Sequence, residues 1–317
     1  MSKFGEMQLK KIFGQALLEL ADAGVPVAMV DADLMRCSGA DAFAAKYPQR
    51  AIQVGIAEQN AVGVAAGMAA MGYQTFVSTF ATFATMRACD QVRNTAVYNH
   101  FPVKVCGTYS GLTSEKNGGT HIAVEDVAIM RAIPTMTVCE PADGAEFDAM
   151  VRVAAEYPGP MYLRVPKGPM KEIYPDGRRN FAIGKADWLR RGEDLTFLAY
   201  GITVVEALEA AAALEERGIS AGVLNVSTIK PLDRDAVIEA LDMSGVLVSV
   251  ENHNIIGGLG SAVAEILAEE GRGRLLRLGL KDCFGTTASL DYQMKQHGLD
   301  AASLVKTVTA YMEKISG

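Results

Sequence analysis

Glu58 is the residue in this sequence with the clearest capacity for chemistry. It lies in Val54-Gly-Ile-Ala-Glu-Gln-Asn60 and opens a stretch, Ala61 to Gly72, built only of Ala, Gly, Val and Met. A carboxyl preceded by Ile52, Val54 and Ile56 is poorly solvated, and desolvation raises its pKa. It could then hold or donate a proton near neutrality. An acid in a first helical turn is also favoured electrostatically by the helix N-terminus, so a purely structural reading stays open. Gly63 and Gly67 stand four apart on one helical face, where a second backbone can approach closely. A buried acid beside such a face predicts a site at a subunit interface.

Two further groups could work with it. Phe80, Phe83 and Met86 are spaced by three, which places them on one face of a helix. Such a stripe is commonly core. Phe80 also follows a predicted strand end, where parallel α/β sheets bind ligands, and two rings there could enclose a flat heterocycle. The next strand end opens a glycine-rich polar loop, Gly107 to His121, long enough to be functional. His121, near a predicted helix start, is expected to have a depressed pKa and to act as a neutral donor or acceptor. The alternative is an ordinary surface histidine.

The elements that must position these residues alternate regularly. Helix is predicted over 7–22, then strands at 25–30, 51–54, 75–78, 103–107, 135–139 and 160–165, with helices at 57–71, 80–97, 123–131 and 142–156. Short apolar strands separated by such helices imply a mostly parallel sheet covered on both faces. A Pro- and Gly-rich segment follows, and a second alternation runs from Leu195 to a closing helix near 301–314. The fold class is therefore α/β, with two doubly wound, mostly parallel-sheet domains, 1–166 and 186–317, joined by a linker over 167–185. Gly257-Gly-Leu-Gly260 resembles half of a dinucleotide fingerprint, but its spacing is incomplete, and tight packing accounts for it better.

The totals narrow the function. With 30 basic and 37 acidic residues the net charge is -7, and no basic block is longer than Arg178-Arg179. Nucleic acid and anionic membranes are not expected partners. The longest small apolar run, Ala61 to Met71, is too short to span a bilayer, and the N-terminus lacks the apolar core of a signal peptide. Five scattered cysteines without a Cys-x-x-Cys pair point to a reducing cytoplasm and away from structural zinc.

In order along the chain, Asp31-Ala-Asp-Leu34, Gly55-Ile-Ala-Glu-Gln-Asn60, Ser78-Thr-Phe80, Asp90-Gln-Val-Arg-Asn94, Gly118-Gly-Thr-His121, Met130-Arg-Ala-Ile-Pro134 and Gly159-Pro-Met-Tyr-Leu-Arg164 resemble the transketolase family of thiamine diphosphate enzymes. Ile229-Lys-Pro-Leu232 and Glu251-Asn-His253 are similar to that family's C-terminal domain. The family's diphosphate-binding module, marked by Gly-Asp-Gly and a distant Asn, has no counterpart; Asp143-Gly144 and Asp176-Gly177 lack its frame. The resemblance therefore implies the C-terminal subunit of a split transketolase. An N-terminal subunit would supply the diphosphate ligands and the Mg²⁺ or Ca²⁺, in an α2β2 assembly.

On this resemblance Glu58 is catalytic: it hydrogen-bonds N1′ of the aminopyrimidine, and the cofactor carries a two-carbon unit from a ketose to an aldehyde. Phe80 and Phe83 would border the pyrimidine, Met86 would fill the place of a third aromatic, and Asp33 and Leu34 would also face the cofactor. His121 matches the histidine at the sugar's carbonyl end. Among substrate-binding positions, Tyr109 replaces a phosphate-binding His, Lys167 an Arg, Cys37 a Ser and Asn117 an Asp, while Arg36 could serve as an anion ligand. Exchanging Arg for Lys gives up a bidentate anion clamp, and Asn for Asp removes charge. A modified ketose, branched, deoxy or sulfonated, is the expected donor. Two alternatives are the β subunit of a 2-oxo acid dehydrogenase, which shares this plan and cofactor, and a non-catalytic scaffold subunit.

Overall fold

In the computed structural model, which describes residues 8–175 and 181–316, two sheets carry the chain. Strands of the first half are β1 (Val27–Asp31), β2 (Ala51–Gln53), β3 (Gln74–Phe80), β4 (Val103–Thr108), β5 (Thr137–Cys139) and β6 (Met161–Val165). The second half contributes β7 (Asp187–Arg190), β8 (Leu195–Ala199), β9 (Ala221–Asn225), β10 (Thr228–Lys230), β11 (Val246–Asn254) and β12 (Arg274–Leu280). The first sheet runs β10-β5-β6-β4-β3-β1-β2 and is parallel except for β10; the second runs β12-β11-β8-β9-β7 and is parallel except for β7. Two mostly parallel α/β sheets were expected, and the structure has them. Their central strands are buried throughout, which is why they read as mostly apolar segments, with Lys104 of β4 and Thr196 of β8 buried among them.

The helices are α1 (Leu9–Asp22), α2 (Met35–Ser38), α3 (Asp41–Lys46), α4 (Glu58–Ala70), α5 (Cys89–Gln91), α6 (Asp126–Ala132) and α7 (Gly144–Glu156), then α8 (Thr203–Glu215), α9 (Arg234–Ser244), α10 (Leu259–Glu270), α11 (Leu290–His297) and α12 (Ala301–Ser316). One expected helix is corrected. Residues 80–97 do not form a continuous helix: Phe80 ends β3, and wide π turns cover Phe83–Arg87 and Val92–Val97 on either side of α5. A π turn shifts side-chain direction relative to an α-helix, so spacing by three no longer fixes one face.

The two halves are joined by more than a tether. β10 lends an antiparallel edge strand to the first sheet, and Met170 and Phe181 from the connecting segment are buried in the first domain's core with Phe13 and Phe147. Residues 176–180, with Asp176-Gly177 and Arg178-Arg179, lie outside the described residues, as do residues 1–7. Between the sheets lies a buried polar joint. Arg164 on β6 donates to Asp126 at 2.7 Å, to Glu140 at 2.5 Å, and to the carbonyls of Ala123 and Asn252 at 3.1 and 2.8 Å. The Asn252 side chain accepts from Leu112 N at 2.9 Å, which anchors the 107–121 loop to the second domain.

The glycine run 257–260 serves this joint. Glu251 on β11 accepts from Leu259 N and Gly260 N at 2.8 and 3.0 Å, so a side-chain carboxylate occupies the start of α10. A Cβ on Gly258 would lie 2.0 Å from Glu251 Oε2, and one on Gly260 2.5 Å from Ser249 Oγ. Burial pushes the Glu251 carboxyl up to about 7, against the two backbone N–H bonds. An unfolded-state glutamate titrates lower, so between about pH 4.5 and 7 the folded chain binds the extra proton and stability falls as pH rises. Glu251→Gln removes that dependence. Its unfolding free energy relative to wild type is expected to rise by on the order of 3 kcal/mol from pH 4.5 to 7. Urea unfolding at several pH values checks this.

Candidate functional site

Glu58 begins α4, one residue after the loop that follows β2, and is 2% exposed. The burial expected for it is present. Arg87 Nη1 donates to its Oε1 at 2.8 Å and to its Oε2 at 2.9 Å, an ion pair with the buried acid. The guanidinium also lies 4.3 Å above the Phe83 ring. On the far side of α4, a Cβ at Gly63 or Gly67 would meet nothing within 4 Å, so that face is open for close approach.

The aromatic residues converge as a cluster rather than as a helical stripe. Phe80 and Phe83 have centroids 5.9 Å apart and planes tilted 48°. His121 packs edge-on to both, at 5.9 Å from Phe80 and 5.1 Å from Phe83, and Tyr109 lies 4.9 Å from Phe80. Met86, in the first π turn, is 54% exposed. His121 ends a short 3₁₀ turn, Gly119–His121, five residues before α6. It does not sit at a regular helix start. Its Nδ1 lies 2.9 Å from Thr120 Oγ1.

Beyond Tyr109 the cluster opens into a cavity of about 170 Å³ lined by Cys37, Tyr109 and Lys167, and also by Lys10, Ser38 and Ser78. Lys167 Nζ is 3.0 Å from Glu115 Oε2 and 5.4 Å from the Tyr109 ring centroid, so it is already half-compensated. Lys10 Nζ reaches the Arg36 carbonyl at 3.4 Å. The buried Ser78 Oγ has no protein partner among the described residues. Burial first, with the Cys37 thiol alongside, pushes the Tyr109 hydroxyl up to about 12, so it remains a donor. Tyr109, Asp33 and Glu115 all have positive φ, at 57°, 64° and 50°. Such strain, of order 1–3 kcal/mol each, clusters where a site over-determines its geometry.

The other expected residues are less central. Asp33 and Leu34 form the loop after β1, where Leu34 N donates to Asp31 and Asp33 N to Gln53. Arg36 and Asn117 are exposed, and neither lines the cavity. Asn117 Nδ2 bonds Ser114 Oγ at 3.2 Å. Arg87, Lys10 and Ser78 are the site residues that sequence reasoning missed. Arg87 is 29 positions from Glu58, and no periodicity links them.

A buried carboxyl joined through Arg87 to a cluster of two rings and an imidazole suits a flat, cationic or amine-bearing heterocycle. Among the described residues, no three His, Cys, Asp or Glu side chains are placed to hold a metal ion.

Residues 5–171 match the family described as transketolase, pyrimidine binding domain, and residues 184–304 match the transketolase C-terminal domain. The chain belongs to the transketolase family. This transketolase-family chain is 44% identical over 312 residues to the 6-deoxy-6-sulfo-D-fructose transketolase subunit SqwH of Clostridium sp. (strain MSTE9), covering 98% of this chain and 97% of that one. It is 40% identical to a 1-deoxy-D-xylulose-5-phosphate synthase of Thermomicrobium roseum, of which it spans 48%. A solved structure titled split gene transketolase, inactive beta4 tetramer, superposes with TM-score 0.89 at 38% identity, covering 98% of this chain and 99% of that chain. The transketolase chain is thus subunit-sized, matching separate subunits end to end and the single-chain synthase over about half. It is a subunit of a transferase that acts with a partner, as expected of a split transketolase. No helix among the described residues is long and apolar enough to cross a membrane.

Proposed function

We propose that this chain supplies the pyrimidine-binding half of a two-chain, thiamine diphosphate-dependent transketolase whose ketose donor carries a non-standard anionic terminus. The cavity beside the ring cluster carries this reading. Two ammonium groups, Lys10 and Lys167, line a pocket whose other polar walls are neutral, among them Tyr109, Ser38, Ser78, Cys37, Gln8 and Thr108. That set suits a compact anion, whereas the guanidinium and imidazole expected for an ordinary sugar phosphate are replaced here. The sulfofructose specificity of the Clostridium relative supports a C6-sulfonated ketose as the donor class.

When bound, the cofactor supplies the nucleophilic carbon and electron sink for ketol transfer. The chain's own residues do the rest. Glu58 holds a proton at the ring nitrogen N1′, Phe80 and Phe83 border the pyrimidine, and His121 donates to the oxygen of the sugar's carbonyl end. Lys10, Lys167 and Tyr109 fix the distal anion, so that the carbonyl carbon lies at the cofactor end. The diphosphate and its Mg²⁺ belong to an N-terminal partner subunit in an α2β2 assembly. The five free cysteines fit a cytoplasmic enzyme.

The test is co-purification with the partner, followed by a donor panel of 6-deoxy-6-sulfofructose, xylulose 5-phosphate and pyruvate with an aldose acceptor. The sulfonated ketose is expected to be the best donor. Ordinary transketolase efficiency on xylulose 5-phosphate plus ribose 5-phosphate would contradict the donor assignment, and preferential use of pyruvate would favour synthase-type chemistry. Lys10→Met is expected to raise KM for the anionic donor about tenfold or more, the loss of one charge-assisted contact, with a much smaller effect on kcat. Steady-state kinetics on the reconstituted pair measure it.

A further inference from the structure

Arg87 covers both features that a bound aminopyrimidine would need. One guanidinium nitrogen engages the two Glu58 oxygens, and the same planar cation lies over the Phe83 face at 4.3 Å. The guanidinium is itself a flat, delocalised, cationic N–H donor, the closest side-chain counterpart of an aminopyrimidine. The Glu58 carboxyl is 2% exposed and the Arg87 side chain 46%. The acid is therefore fixed, while the half-exposed arginine has solvent to swing into.

We propose that Arg87 is a positioning residue that stands in for the cofactor's pyrimidine in the unloaded protein, compensating the buried Glu58 charge, and withdraws when the cofactor enters. The inference rests on the functional reading above, since it requires thiamine diphosphate to bind at Glu58. Two effects of opposite sign follow. Without Arg87 the unloaded chain keeps a buried carboxylate with no cation, so its stability falls. The loaded form no longer has a competing occupant, so cofactor affinity rises. If the closed arrangement is about nine-tenths populated, apparent affinity is reduced about tenfold, and removing Arg87 restores that factor.

The experiment compares wild type, Arg87→Met and Arg87→Lys. Thermal unfolding is measured without cofactor, and thiamine diphosphate with Mg²⁺ is titrated calorimetrically into each chain reconstituted with its partner. Arg87→Met is expected to lower the melting temperature of the unloaded chain and to bind cofactor about tenfold more tightly. Arg87→Lys keeps a charge but loses the planar fork, and should fall between the two in both measurements. Binding by Arg87→Met that is equal to or weaker than wild type would overturn the inference. If Arg87→Met does not fold, tighter binding by Arg87→Lys supports the inference and unchanged or weaker binding overturns it. A wild-type pair that binds no thiamine diphosphate would overturn both this inference and the functional reading; tight wild-type binding without the Arg87 effect overturns this one alone.

Discussion

Glu58→Ala, reconstituted with its partner subunit, is expected to lose about 10²- to 10⁴-fold in turnover, the range for removing a positioned acid–base group. The carboxyl is fixed at the start of α4, buried, and joined through Arg87 to the Phe83 ring of the aromatic cluster. Glu58→Gln should fall nearly as far, because an amide keeps the shape and one donor but cannot exchange a proton with the ring nitrogen. The variant chain should fold and assemble, since deleting this carboxylate also deletes the charge that Arg87 compensates, and Arg87 is free to turn outward. A scaffold subunit would keep the pair's turnover in both variants. Steady-state rates, with assembly checked by size-exclusion chromatography, separate the two outcomes.

Arg164→Met is the second large effect, and it acts on stability. Arg164, Asp126 and Glu140 are all fully buried, and the guanidinium donates to both acids and to carbonyls from two segments. Methionine matches much of the volume but leaves two carboxyls without their cation, a loss of about 3–5 kcal/mol. For a chain of 317 residues the melting temperature should drop by roughly 5–8 °C. Burial already pushes the Glu140 carboxyl up to about 7, against the nearby arginine. Without Arg164 that carboxyl titrates higher still and takes up a proton more readily. The penalty should therefore be smaller at pH 5 than at pH 8, and melting curves at both values test it. A loss that does not change with pH would show that packing, and not the uncompensated charge, dominates at this joint.

The sheets were legible because parallel strands buried on both faces have few polar residues: Val27–Asp31 is apolar up to its last residue, and Val103–Thr108 reads as a strand despite Lys104. Glu58 was legible as a polar residue in an apolar frame. The break in 80–97 was not, because Ala81 through Val97 contains no Pro or Gly to mark it. The widening into π turns accompanies the packing of that segment against α4 and β4. β10 escaped notice because three residues next to a proline carry too little periodicity, and its partner strand lies 89 positions away. Arg87 and Lys10 were hidden for a related reason. Each enters the site from a different element, and only the folded arrangement brings the first onto Glu58 and the second opposite Lys167. Helical periodicity identifies the face of α1 that is buried, but not what the end of that face looks onto.

Calorimetric titration of thiamine diphosphate with Mg²⁺, into this chain alone and into the chain reconstituted with its partner, tests the two-chain site most directly. In the proposed site the pyrimidine end of the cofactor would rest on Glu58 and the diphosphate end on another polypeptide, so tight binding is predicted only for the reconstituted pair. Tight, Mg²⁺-dependent binding by this chain alone would contradict it.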